Sequence, residues 1–227
     1  MSNPPIPSRL LSIDDLTRRD YYHLSEEDVC FHLWEYVKGG SFQDYLTNPL
    51  IKNLQIPSSE CNNNYRWRYQ TQAIAYAAKA LGGVVPSNYL SEWTWIAMPP
   101  SAIRSDPAYD SRLIGLLNRV RPRISDVREL VSQRENTSSK KRGITPEVRA
   151  DNFLIDEEEA TPEPQSVIVF DDVIAGGSHF KAIKTVPRER FPGVDVVGIF
   201  LARTLRPEEP TVEIDLSPLL GRFVRKR

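Results

Sequence analysis

The sequence predicts an α/β fold with a mostly parallel, twisted sheet flanked by helices. Three observations carry that prediction. The apolar runs "SVIVF" and "VDVVGIFLA" are nearly continuous and β-branched rather than alternating, which signals strands buried on both faces. The helix candidate "HFKAIKTV" lies between them, so the three segments make a βαβ unit. At 227 residues with 40% apolar side chains, the chain can build a sizeable core without disulfide support.

Taken in order, "LSEEDVCFHLWEYVKGG" predicts a helix. Ser25 is its N-cap, Glu26, Glu27 and Asp28 make an acidic first turn, and Val29, Leu33, Tyr36 and Val37 keep helical spacing before Gly39 and Gly40. The polar, turn-rich "SSECNNNYRWRY" then separates residues 1–62, a helical hood or partner-binding segment, from a core over 63–227. In "YQTQAIAYAAKALGG", Ile74, Ala78 and Leu81 share a helix face, and Gly82 and Gly83 supply the stop. "WTWIAMPP" reads as a short strand halted by two prolines. Leu113, Leu116, Leu117 and Val120 fall at i, i+3, i+4 and i+7, a further helix, whereas "ISDVRELVSQ" fits strand or helix equally. Residues 134–149 hold five basic and two acidic side chains and form an exposed cationic loop, and "DEEEATPEPQS" is a solvated connector.

Composition narrows the function classes. A formal net charge of −1 gives no overall field toward nucleic acid or an anionic membrane. The basic tail "GRFVRKR" is the local exception, either a nucleic-acid contact or a solvated end. Cys30 and Cys61 fit neither a zinc pattern nor a disulfide framework, and the three histidines are scattered, so no structural metal is expected. Residues 1–20 lack a signal-peptide pattern and no run approaches a membrane span, which leaves a cytoplasmic protein with no membrane partner as the expectation. Trp34, Trp67, Trp93 and Trp95 are candidates for stacking a base or for plain core packing.

The stretch "VIVFDDVIAGGSHF" carries the chemistry. It sets Asp171 and Asp172 at the end of a buried strand, where open α/β sheets bind ligands. Adjacent carboxylates repel unless the site brings donors or a divalent cation, and the vicinal hydroxyls of a ribose are suitable donors. Ala175, Gly176, Gly177 and Ser178 then lead into a helix whose free amides and dipole favour an anion. Diol acceptors followed by a phosphate cradle describe a sugar phosphate. Other motifs fit worse: there is no Gly-Lys-Ser/Thr of a P-loop, a dinucleotide fingerprint places its glycines before the acid, and a haloacid-type phosphatase spaces its aspartates two apart. A buried strand ending in a solvated Asp-Asp turn is the plain structural alternative.

This pattern of four apolar residues, two acids, two aliphatics and a small-residue loop resembles the phosphoribosyl pyrophosphate (PRPP) signature of type I phosphoribosyltransferases. The order of elements from about Tyr65 to Leu205 is similar to the ComF-like, amidophosphoribosyltransferase-like branch, as are Arg134, Thr137, Arg149 and Asn152 in "RENTSSKKRGITPEVRADNF" and the closing "FLAR". The resemblance implies the type I phosphoribosyltransferase fold and a Mg2+-dependent glycosyltransferase of nucleotide metabolism. Asp171 and Asp172 would hold the ribose hydroxyls and the metal. Val173, Ile174, Ala175, Gly176, Gly177, Ser178 and His179 would wrap the 5-phosphate, and Pro99, Pro100 and Ser101 would approach the pyrophosphate. Lys140, Lys141 and Arg142 would close over it, with Lys140 and Arg142 in catalytic roles. A homodimer, and a protein partner for residues 1–62, accord with the resemblance.

The sequence also departs from the pattern. Gly176 and His179 stand where relatives carry hydroxyls, and two charged hydrogen bonds of roughly 1.5 to 3 kcal/mol each are thereby lost unless Ser178 or a protonated His179 replaces them. The usual loop Gln is replaced, Lys140 or Lys141 being nearest, and the front zinc cysteines are missing. The expectation is therefore an enzyme that transfers or hydrolyses the phosphoribosyl group, or a non-catalytic descendant that senses a nucleotide or docks a protein or DNA in competence or phage defence.

Overall fold

The structure, a computed structural model, describes residues 3–39, 46–57, 65–137 and 144–205. Its centre is the predicted βαβ unit. Strand β7 (Ser166–Ile174) runs parallel to β8 (Asp195–Leu205), with α6 (Ser178–Arg190) as the crossover. Val167, Ile168, Val169 and Phe170 have no exposed surface, so the unbroken apolar run reflects burial on both faces. Each such side chain contributes about 1.5 to 3 kcal/mol on burial.

Outward from this unit, six strands share one sheet in the order β1-β2-β8-β7-β3-β4. β2 (Cys30–Val37) pairs parallel with β8, β3 (Thr94–Ala97) pairs parallel with both β7 and β4 (Asp126–Arg128), and only the two-residue β1 (Leu11–Ser12) is antiparallel, against β2. The α/β class with a mostly parallel sheet therefore stands. The helices are α1 (Thr47–Leu54), α2 (Arg66–Val84), α3 (Ser87–Glu92), α4 (Arg112–Leu117) and α5 (Pro146–Ala150), besides α6. A separate ribbon of β5 (Val131–Gln133) and β6 (Phe153–Ile155) pairs antiparallel beside the sheet.

Four sequence expectations change. The segment from Ser25 to Gly40 is not a helix: it forms a turn and then β2, between β1 and β8. The supposed N-cap has a different use, since the Ser25 backbone N–H and hydroxyl both donate to the Asp28 carboxylate, at 2.8 and 2.9 Å, closing the turn that feeds the strand. Residues 1–62 thus give two strands to the common sheet, with α1 as the α-helix among their described residues. Gly82 and Gly83 do not stop α2, which runs on to Val84. Gly82 is instead a point of close approach, because a Cβ there would stand 2.1 Å from the Arg121 carbonyl oxygen. Finally, "ISDVRELVSQ" resolves into β4 and β5.

The strand order locates the crevice. From β3 the chain crosses through α4 outward to β4, whereas from β7 it crosses through α6 in the opposite direction to β8. Right-handed crossovers in opposite directions put their helices on opposite faces of the sheet. The carboxyl ends of β3 and β7, which are neighbours, therefore diverge and open a cleft between them.

Candidate functional site

Asp171 and Asp172 end β7 at that divergence. The strand continues past the apolar run, with Asp171 in register with Phe200 and Val173 with Ala202, so the carboxylates are built on the sheet itself rather than on a loop. Both line a cleft of about 560 Å³ together with Tyr36, Lys38, Gln55, Asp110 and Arg112. The Asp171 carboxylate turns back to accept the Asp172 backbone N–H at 2.8 Å. Burial first, and the charge of Asp172 second, hold its pKa well above the usual carboxylate range.

Asp172 is 6% exposed and is held from two sides. Arg112, the first residue of α4, donates Nη2 at 2.8 Å, and Gln55, just after α1, donates Nε2 at 3.1 Å. Arg112 also pairs with Asp110, and its backbone N–H donates to the Asp110 carboxylate at 3.1 Å. Arg112 thus supplies the counter-charge that the adjacent aspartates require. Sequence reasoning missed Arg112, Asp110 and Gln55. They lie tens of residues from the motif and carry no local signal, since an Arg opening a helix or a Gln closing one is commonplace.

Two carboxylates side by side, one already paired with Arg112, can hold a magnesium ion that keeps waters and takes its other ligands from a substrate. Among the described residues no group of three or more His, Cys, Asp or Glu side chains is arranged to hold a metal.

After β7 the chain turns through Gly177, whose φ of +82° lies in the left-handed region, and enters α6. Leu24 packs on Gly177, and a Cβ there would stand 2.7 Å from it. Tyr22 covers Gly176, whose carbonyl accepts the His23 backbone N–H at 3.2 Å. This N-terminal segment is fastened to α6 by Asp28, which is 1% exposed and receives Lys181 at 2.8 Å and Lys184 at 2.6 Å. These two bonds outweigh the cost of burial and lower the Asp28 pKa to about 2.

The opposite wall is the turn after β3. The Met98 backbone N–H donates to Phe170 at 2.8 Å, and Pro99, Pro100 and Ser101 then line the cleft. Behind this turn is a smaller chamber of about 160 Å³, lined by Met98, Pro99, Ser101, Gln133, Thr137, Arg149, Asn152, Phe153 and His179. Its polar frame is fixed: Gln133 Nε2 donates to Pro100 O at 2.5 Å, and Gln133 Oε1 accepts from Thr137 Oγ1 and Asn152 Nδ2, both at 2.8 Å.

Of the residues singled out from sequence, Asp171, Asp172, Val173, Ala175, His179, Pro100 and Ser101 meet in the cleft. Ile174 is core, Gly176 and Gly177 lie under Tyr22 and Leu24, and Ser178 opens α6 without lining the cleft. Lys140, Lys141 and Arg142 lie outside the described residues, as does the tail "GRFVRKR". His179 opens to solvent on one side, yet desolvation by the cleft wall, then the Arg149 charge, lower its pKa. The imidazole is neutral at pH 7, and a protonated His179 does not replace the missing hydroxyls. Trp34 and Trp95 are core, and none of the four tryptophans lines the cleft. No helix among the described residues is long and apolar enough to cross a membrane. Comparison with protein-family models and with curated proteins gives no match to this chain.

Proposed function

We propose that the chain is a type I phosphoribosyltransferase-like protein that binds PRPP with Mg2+ and transfers or hydrolyses its phosphoribosyl group, releasing pyrophosphate. One observation carries this reading: Asp171 and Asp172 end the strand at the point where β3 and β7 diverge, and a positive-φ glycine turn leads from them straight into α6. A ribose presents two adjacent hydroxyl donors, which matches two adjacent carboxylates. Its 5-phosphate faces the unpaired amides at the start of α6. The pyrophosphate lies toward Pro100 and Ser101 across the cleft, and Arg112 puts a fixed positive charge in the same space. Magnesium, held by Asp171 and Asp172, supplies charge neutralisation of the departing pyrophosphate. In this reading Arg112 and Gln55 keep Asp172 oriented, and the partly enclosed cleft limits water at the reacting carbon.

The test is calorimetry with Mg2+ and PRPP. The parent protein is expected to bind, and Asp172→Asn to lose binding; undisturbed binding in that variant sinks the assignment. Because Asp171 holds its proton more tightly than an ordinary carboxyl, and a metal ligand must be deprotonated, affinity is expected to rise with pH above the ordinary carboxylate range.

A second reading is a non-catalytic binder that senses a nucleotide or docks a partner. The cover of Tyr22 over Gly176 and the neutral His179 favour it. Pyrophosphate release from PRPP, assayed with bases, amines and water as acceptors, separates the two: binding without release supports the sensor.

A further inference from the structure

Arg149 stands apart from the other arginines. Three arginines bury an Nε with no hydrogen-bond partner: Arg18, Arg112 and Arg149. Arg18 pairs with Asp15, and Arg112 with Asp110 and Asp172. Arg149 pairs with no carboxylate among the described residues, and burial alone lowers its pKa. It lines the 160 Å³ chamber, whose wall includes no acid.

The remaining polar lining divides sharply. Gln133, Thr137 and Asn152 are engaged with one another and with the backbone. Ser101 accepts from Thr137 through its carbonyl, which leaves its hydroxyl unengaged among the described residues. The unengaged groups are thus a guanidinium from α5, a hydroxyl from the turn after β3 and an imidazole from the first turn of α6. Met98, Pro99 and Phe153 make the rest of the wall apolar. A guanidinium in such surroundings lacks the counter-charge that desolvated ions require. Its planar fork matches the paired oxygens of an oxyanion.

We propose that this chamber is a binding site for a tetrahedral phosphate group, with Arg149 as its anchor and Ser101 and His179 as further donors. Donors arriving from three elements suit oxygens that point in several directions, whereas a planar carboxylate would use the guanidinium alone. The site stands on its own geometry and does not require ribosyl transfer at Asp171 and Asp172.

Calorimetry with inorganic phosphate and, separately, pyrophosphate, without metal, tests it, with acetate at equal ionic strength as comparator. The parent protein is expected to bind phosphate or pyrophosphate but not acetate. Losing the charged hydrogen bonds in Arg149→Gln should weaken binding roughly tenfold to a hundredfold, with Ser101→Ala weakening it less and Asp172→Asn leaving it intact. If Arg149→Gln does not melt cooperatively, Arg149→Lys serves, with an intermediate loss expected. No phosphate binding in the parent, equal binding of acetate, or unchanged affinity in a folded Arg149 variant would overturn the proposal. Mg2+-PRPP titrations identify the source of the phosphate: an equal loss of PRPP affinity in Arg149→Gln assigns it to the sugar phosphate, and unchanged PRPP affinity assigns it to a free anion. Failure of PRPP to bind the parent while phosphate still binds counts against the transferase reading alone.

Discussion

His32 is 2% exposed in the middle of β2, with Nδ1 3.0 Å from the Trp34 carbonyl, and burial lowers its pKa to about 4. Its folded value lies below the ordinary 6.5, so above pH 6.5 the neutral ring costs nothing. As pH falls from 6.5 toward 4 the unfolded chain takes up a proton that the folded chain refuses. Stability therefore drops across that window, by on the order of 3 kcal/mol from this group. Urea unfolding at pH 7.5 and pH 4.5 should show the loss, and His32→Phe should flatten it; an unchanged pH slope would exclude His32 as its source. The same scale shows what sequence could supply. Asp171 and Asp172 were legible because strand, acids and glycines are contiguous. Arg112 was not, because it meets Asp172 across 60 residues of sequence, and only tertiary folding makes that pair.

Gly82 in α2 sets two effects against each other. Alanine gains about 1 kcal/mol over glycine inside a helix. At Gly82 its Cβ would meet a backbone carbonyl oxygen at 2.1 Å, which cannot swing away as a side chain can, and such overpacking costs about 1 to 3 kcal/mol or more. Gly82→Ala should therefore lower stability, while Gly83→Ala, with nothing within 4 Å, should raise it by about 0.5 to 1 kcal/mol; opposite shifts in thermal midpoint check both. The elements most legible in sequence were those whose period was undisturbed: α2, β7, α6 and β8. β2 misled because its buried positions, Cys30, His32, Leu33, Trp34 and Val37, do not alternate, and a strand covered on both faces has no period of its own. The Ser25 to Asp28 signature then looked like a helix cap, when its hydrogen bonds close a turn.

Across the whole molecule, one buried carboxylate ties the N-terminal segment to the helix that leaves the cleft. Asp28→Asn would strip Lys184, 3% exposed, of its partner, and breaking such a buried pair costs about 3 to 5 kcal/mol. Since Tyr22 and Leu24 lie on the Gly176–Gly177 turn, hydrogen exchange in that turn should quicken in the variant; exchange unchanged there would mean the clamp is not needed to hold it. The α/β class was legible because β7, α6 and β8 are consecutive. The full strand order was not, because β2 finds its place beside β8 only after the rest of the sheet exists. That placement has a consequence for synthesis. Glu35 and Arg203, which pair across the two strands, are 168 residues apart, and at roughly 5 to 20 residues per second a ribosome needs about 8 to 34 s to cover that distance. Throughout that interval the apolar β2 has left the ribosome with its neighbour not yet made, so holding this strand apart from other nascent chains is a task for the cell before it is one for the fold.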